Sequence, residues 1–115
     1  MGRRRLGKFR VKRGEIRWYT FREPDKRRPV LLLTRNDVIE QLNEILVVPI
    51  TRTIRGIGTE VILTEGHGMP VSCALNCDHI SLAQRNRISR RICDLPEERW
   101  PELQNAILTA CGFMS

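Results

Sequence analysis

A chain of 115 residues, 41% hydrophobic and 29% charged, has room for one domain with a modest core. No apolar run approaches the ~20 residues of a membrane-spanning helix, and none follows the basic start as in a secretory signal, so a cytoplasmic protein with no membrane partner is expected. The formal net charge is +7, and all of the excess falls in the first thirteen residues, where Arg3, Arg4, Arg5, Lys8, Arg10, Lys12 and Arg13 meet no acid.

Residues 1–10 are therefore expected to form a basic, disordered tail with weak, sequence-independent affinity for nucleic acid, ahead of one domain over 11–115. After Gly14, the run Glu15–Phe21 alternates. Ile16, Trp18 and Thr20 share one side; Glu15, Arg17 and Tyr19 share the other. This predicts a strand with one half-exposed face. Arg22–Arg28 is a polar connection with a Pro24-Asp25 turn signal.

Arg28–Thr34 reads as a buried strand, with Pro29 near its start where a missing N–H costs least. One or two helical turns are expected over Asp37–Asn43. The stretch Ile45–Gly56 then organises the chain. Its first half, Ile45-Leu46-Val47-Val48-Pro49-Ile50, has the unbroken apolar character of a fully buried strand. Its second half presents Thr51, Arg52, Thr53 and Arg55, hydroxyls and guanidiniums of the kind that bind phosphate oxygens.

Short strands are expected at Glu60–Leu63 and Val71–Asn76, with Asp78–Leu82 continuing or pairing with the latter. Arg87–Cys93 alternates again, with Ile88 and Ile92 on one face. The chain ends in a helix. Asp94-x-x-Glu97 resembles a capping box, Pro96 suits the first helical position, and Pro101 kinks the first turn or delays the regular helix. Trp100, Leu103, Ile107, Leu108 and Cys111 form an apolar stripe, and Gly112 is a C-terminal cap candidate.

Cys73, Cys77, Cys93 and Cys111 form no C-x-x-C pair. Cys73 and Cys77, with His67 and His79 nearby, fit no common zinc spacing, so buried free thiols and no metal or cofactor are expected. Six or seven short strands and one helix favour a small, bent antiparallel sheet or barrel with the helix over one side. If the strands after Arg28 and before Thr51 are antiparallel neighbours, a guanidinium and a hydroxyl meet at one rim, with Arg27, Arg52 and Thr53 around them. That outlines a phosphate site.

Read in order, Gly14-Glu15-Ile16, Arg27-Arg28-Pro29-Val30, Val48-Pro49-Ile50-Thr51, Thr53-Ile54-Arg55-Gly56, Cys73-Ala74-Leu75-Asn76, Asp78-His79-Ile80 and the final helix resemble the MazF/PemK toxin family over residues 11–113. The resemblance implies a mainly β fold, the small SH3-like antiparallel barrel of MazF, PemK and CcdB toxins with a C-terminal helix. It implies a homodimeric, metal-independent and ribosome-independent endoribonuclease, or mRNA interferase. Such a toxin cuts single-stranded RNA at specific sequences and is restrained by an antitoxin. It assigns Arg28 and Thr51 as catalytic, with Asp78 as an acidic participant used in some members. Arg27, Arg52, Thr53, Arg55, Asn76 and His79 would contact RNA. Two departures stand out: the connection before Arg27 lacks the family's Gly-Ser-Glu-Gln-type segment, and Asn76 stands where some members have an arginine. The rival readings are a protein-binding toxin of the same fold, of the gyrase-inhibitor type, and a non-catalytic nucleic-acid-binding barrel.

Overall fold

The computed structural model describes residues 10–22 and 27–114. The expected tail, apart from Arg10, and the Pro24-Asp25 turn lie outside the described residues. Seven strands follow one another: β1 (Glu15–Thr20), β2 (Arg27–Leu32), β3 (Glu44–Thr51), β4 (Glu60–Leu63), β5 (Cys73–Asn76), β6 (Ser81–Gln84) and β7 (Ile88–Asp94). A single turn, α1 (Asn36–Ile39), joins β2 to β3, and α2 (Trp100–Ala110) closes the chain.

Every pairing is antiparallel, in the order β4-β5-β3-β2-β1-β7, with β6 also on β3. Val47 pairs with Leu32 on one edge of β3 and with Ser81 on the other. So β5 and β6 share one edge of β3 in tandem, opposite β2. Among the described residues β4 and β7 end the sheet without pairing, so the expected barrel is an open one.

The apolar runs of β2 and β3 are explained by two cores. Leu31, Val48 and Ile50 enter one cluster with Val61, Leu63, Leu75 and, from α2, Leu103 and Ala106. Their alternates Val30, Leu32, Ile45 and Val47 enter a second, with Ile39, Ala83 and Ile88. A strand covered on both faces has no polar side to show.

β1 is covered on both faces too, which overturns the half-exposed face expected for it. Ile16 belongs to the first cluster and Tyr19 to the second, while Arg17 is only 8% exposed. The phenol of Tyr19 accepts the Gln84 N–H at 2.9 Å, which satisfies its polar end.

Ile88 and Ile92 do not share a face. Ile88 sits in the second cluster and Ile92 packs against the first. The β1–β7 register shifts twice, between Ile16 and Arg17 and between Arg17 and Tyr19. Each shift places an extra β7 residue against β1 and resets the alternation.

The helix begins later than the capping signal suggested. Asp94 ends β7 and accepts from Arg91 at 2.9 Å instead of capping. A 3-10 turn, Glu97–Arg99, follows, and Pro101 falls in the first turn of α2, where its missing N–H leaves no bond unmade. Gly112, at φ +84°, reverses the chain, and the Phe113 N–H returns to the Leu108 carbonyl at 2.8 Å. Cys111 lies outside the apolar stripe, exposed. Cys73 and Cys77 are buried, Cys93 is half-buried, and all four thiols are free.

Candidate active site

β2 and β3 pair at Leu32↔Val47, Leu31↔Val48 and Val30↔Pro49. Pro29 and Pro49 both lack the N–H a ladder needs, and the pairing stops there. The same register, carried two residues outward, sets Arg28 across from Thr51. Beyond the last rung the strands border a cleft of about 500 Å³, and both residues line it.

Arg27, Arg52 and Thr53 line the cleft as well, with Trp18 from β1. Ile50, Met69, Pro70 and Val71 give it an apolar side, and among the described residues no carboxylate borders it. The Arg27 guanidinium lies 5.0 Å from the Trp18 ring centroid. Arg28 is exposed and makes no ion pair among the described residues. The Thr53 backbone N–H donates to Thr51 Oγ1 at 3.1 Å. The hydroxyl oxygen is thereby held in place while its hydrogen stays available to donate.

The apolar wall is fixed by a small capping motif. The Thr64 N–H donates to His67 Nδ1 at 2.9 Å, and the Met69 N–H reaches the Thr64 carbonyl at 3.4 Å. Cys73 closes the floor. Burial, with Cys93 nearby, pushes its thiol up, so the sulfur beside the cleft is a neutral thiol rather than a nucleophilic thiolate.

The remaining expected residues gather elsewhere. Asn76, Asp78 and His79 occupy the 3-10 turn Cys77–His79 and its cap. Thr59 Oγ1 donates to Asp78 Oδ2 at 2.7 Å, the Asp78 N–H donates to Asn76 Oδ1 at 3.2 Å, and Asn76 Nδ2 meets His79 Nδ1 at 3.1 Å. The N–H groups of Arg55 and Gly56 donate to Glu60 Oε1, and Glu60 pairs with Asn76, so the Arg55 loop belongs to this second group. Thr51 pairs with Ala74, four residues before Asp78, which puts the turn on the order of 10 Å from the rim along β5. None of these four residues lines the cleft.

The family model for the PemK-like, MazF-like toxin of type II toxin–antitoxin systems matches residues 12–110. The chain belongs to this toxin family. Two relatives from Mycobacterium tuberculosis agree. "Endoribonuclease MazF3" is 37% identical over 83 residues, 72% of this chain and 81% of its own length. "Probable endoribonuclease MazF2" is 35% identical over 103 residues, 89% and 99% respectively. The solved structure of Mycobacterium tuberculosis toxin MazF-mt6 superposes with a TM-score of 0.78 at 34% identity, covering 84% of this chain and 95% of that one.

The MazF-like fold thus accounts for the open sheet and the single long helix. No helix among the described residues is long and apolar enough to cross a membrane. In this MazF-like toxin the sequence pointed to the cations and hydroxyls of the cleft but not to Trp18, Met69, Pro70 or Val71. Alternation places Trp18 only on one side of the first strand, and its pairing with Pro29 brings it beside the cleft. Met69–Val71 carry no phosphate-binding chemistry, so composition could not have found them.

Proposed function

We propose that this MazF-like toxin is an endoribonuclease that cuts single-stranded RNA at specific sequences, independently of the ribosome and of metal. The observation that carries the reading is the pair Arg28 and Thr51 in one cleft, together with Arg27, Arg52 and Thr53. In the reaction the 2′-oxygen attacks the adjacent phosphorus and loses its proton. The P–O5′ bond breaks, and the 5′-oxygen takes up a proton. The products are a 2′,3′-cyclic phosphate and a 5′-hydroxyl.

Arg28 stabilises the anionic phosphorane with paired N–H donors, a role that needs its charge and geometry and no proton transfer. The Thr51 hydroxyl, anchored by Thr53, donates to a non-bridging oxygen or orients the 2′-OH. Arg27, Arg52 and Thr53 hold neighbouring phosphates. Asp78 is given no proton transfer, because Thr59 engages it and it stands outside the cleft. With Arg55, Asn76 and His79 it forms a second RNA contact region beyond the cut. Family membership supports a cytoplasmic homodimer restrained by an antitoxin, with an acidic or amphipathic antitoxin segment lying along the basic rim.

The test is cleavage of a mixed single-stranded RNA pool in excess EDTA, with end analysis. Cyclic phosphate ends are expected, and a 2′-deoxy nucleotide at the cut should abolish them. Arg28→Ala and Thr51→Ala should each lower the rate on the order of a hundredfold. Wild-type rates in both variants reject the assigned site. A folded protein that cuts no RNA points to the protein-binding toxin. If removing residues 1–10 abolishes all RNA interaction, the nucleic-acid-binding barrel gains.

A further inference from the structure

Arg17 is a buried charge that the proposed chemistry does not use. Its guanidinium donates to Glu15 Oε1 at 2.9 Å, to the Ser89 carbonyl of β7 at 2.9 Å and to the Arg10 carbonyl at 3.2 Å. It therefore pins the chain at Arg10 beside β7, the end strand of the sheet. The residues preceding this anchor carry Arg3, Arg4, Arg5 and Lys8.

The same strand lies in line with the cleft. Tyr19 pairs with Arg28 on one side and with Ile88 on the other. Arg28 and Ile88 thus stand in one row across three strands, about 10 Å apart at the usual strand spacing. A single strand of nucleic acid advancing roughly 3.4 Å or more per nucleotide spans that in about three nucleotides. Arg87 precedes Ile88 at this rim and Arg90 follows along β7; both are exposed. Among the described residues of β1 and β7 both acids are engaged: Glu15 by Arg17 and Asp94 by Arg91.

We propose that β7, with Arg87 immediately before it and Arg90 within it, and with the chain held beside it at Arg10, is an RNA exosite. It holds backbone phosphates about three nucleotides and more from the cut. It rests on the endoribonuclease reading and adds to it a second anchoring region outside the cleft. Charges that merely protect an edge strand from pairing would need no anchor at Arg10. Phosphate contacts of this kind set affinity and register, not base preference.

The experiment compares wild type with Arg87→Gln/Arg90→Gln on two RNAs sharing one cleavage sequence, one of about five nucleotides and one of about twenty. On the long RNA the double variant should lose on the order of tenfold in kcat/KM, through KM. The slope of log kcat/KM against log salt should become shallower by roughly 0.7 for each phosphate no longer neutralised. On the short RNA it should match wild type, and Arg87→Lys/Arg90→Lys should restore the long-RNA rate. Equal rates on the long RNA overturn the exosite, as does an equal fall on both RNAs. So does a variant that loses affinity only for an acidic antitoxin peptide. Wild type cutting neither RNA would instead refute the endoribonuclease reading.

Discussion

The backbone N–H of Thr53 donates to Thr51 Oγ1 at 3.1 Å, so the turn after β3 orients the hydroxyl that faces the cleft. A serine can make the same bond; a valine of equal size cannot. Thr51→Ser should keep most of the cleavage rate, whereas Thr51→Val should lose about a hundredfold, with the fold retained. Single-turnover cleavage and circular dichroism on both variants check this.

Arg28 is exposed, so its replacement should cost the fold little. Lysine keeps the charge but not the planar fork that meets two phosphate oxygens at once. Arg28→Lys should therefore cut more slowly than wild type by about tenfold or more, and Arg28→Ala more slowly still. The ordering in kcat, with unchanged urea midpoints, is the measurement.

Arg17 is expected to matter to stability. Removing its guanidinium leaves Glu15 and two carbonyls without their buried donor. Arg17→Ala should destabilise the protein by about 3 kcal/mol, read from urea unfolding.

Two glycines with positive φ should differ. A Cβ at Gly68 (φ +98°) would sit 2.9 Å from Cys93 Cβ, whereas at Gly56 (φ +71°) it meets nothing within 4 Å. Gly56→Ala should cost about 1 kcal/mol from backbone strain alone, and Gly68→Ala about 2 kcal/mol or more. Gly68→Ala should also disturb Met69 and hence the cleft wall, seen as a raised KM.

Burial, with Asp78 and Cys111 adding to it, pushes the Cys77 thiol up from 9.0 to about 12. Unfolded, it releases its proton near 9; folded, it keeps it. The unfolded state then binds fewer protons between pH 9 and about 12, so stability is full below 9 and falls as pH rises through that window. Cys77→Ala should flatten this decline in urea midpoints between pH 8.5 and pH 11, though Cys73 and Cys93, raised in the same direction, will leave part of it.

Local pattern located most strands, the C-terminal helix though not its start, and the members of the cleft that carry charge or hydroxyls. The stretch after Asn76, expected to continue or pair with β5, is a 3-10 turn followed by β6, which pairs with β3. Unbroken apolar runs mark β2 and β3 because both faces are buried, and the polar tail of β3 marks the rim. The alternation of β1 and β7 misled because alternation assigns faces without saying what covers them. Tyr19 and Arg17 are buried by other elements, and two register shifts reset β7.

The sequence by itself determined which side chains could meet a phosphate, since residue chemistry and the ends of apolar runs are written along the chain. Only the tertiary structure decided which of them meet. The β2–β3 register, continued past its last pair of Val30 and Pro49, puts Arg28 across from Thr51 though 23 positions separate them, and β5 carries Asp78 away. Strand pairing is a contact between distant segments, and no local periodicity encodes its partner or its offset.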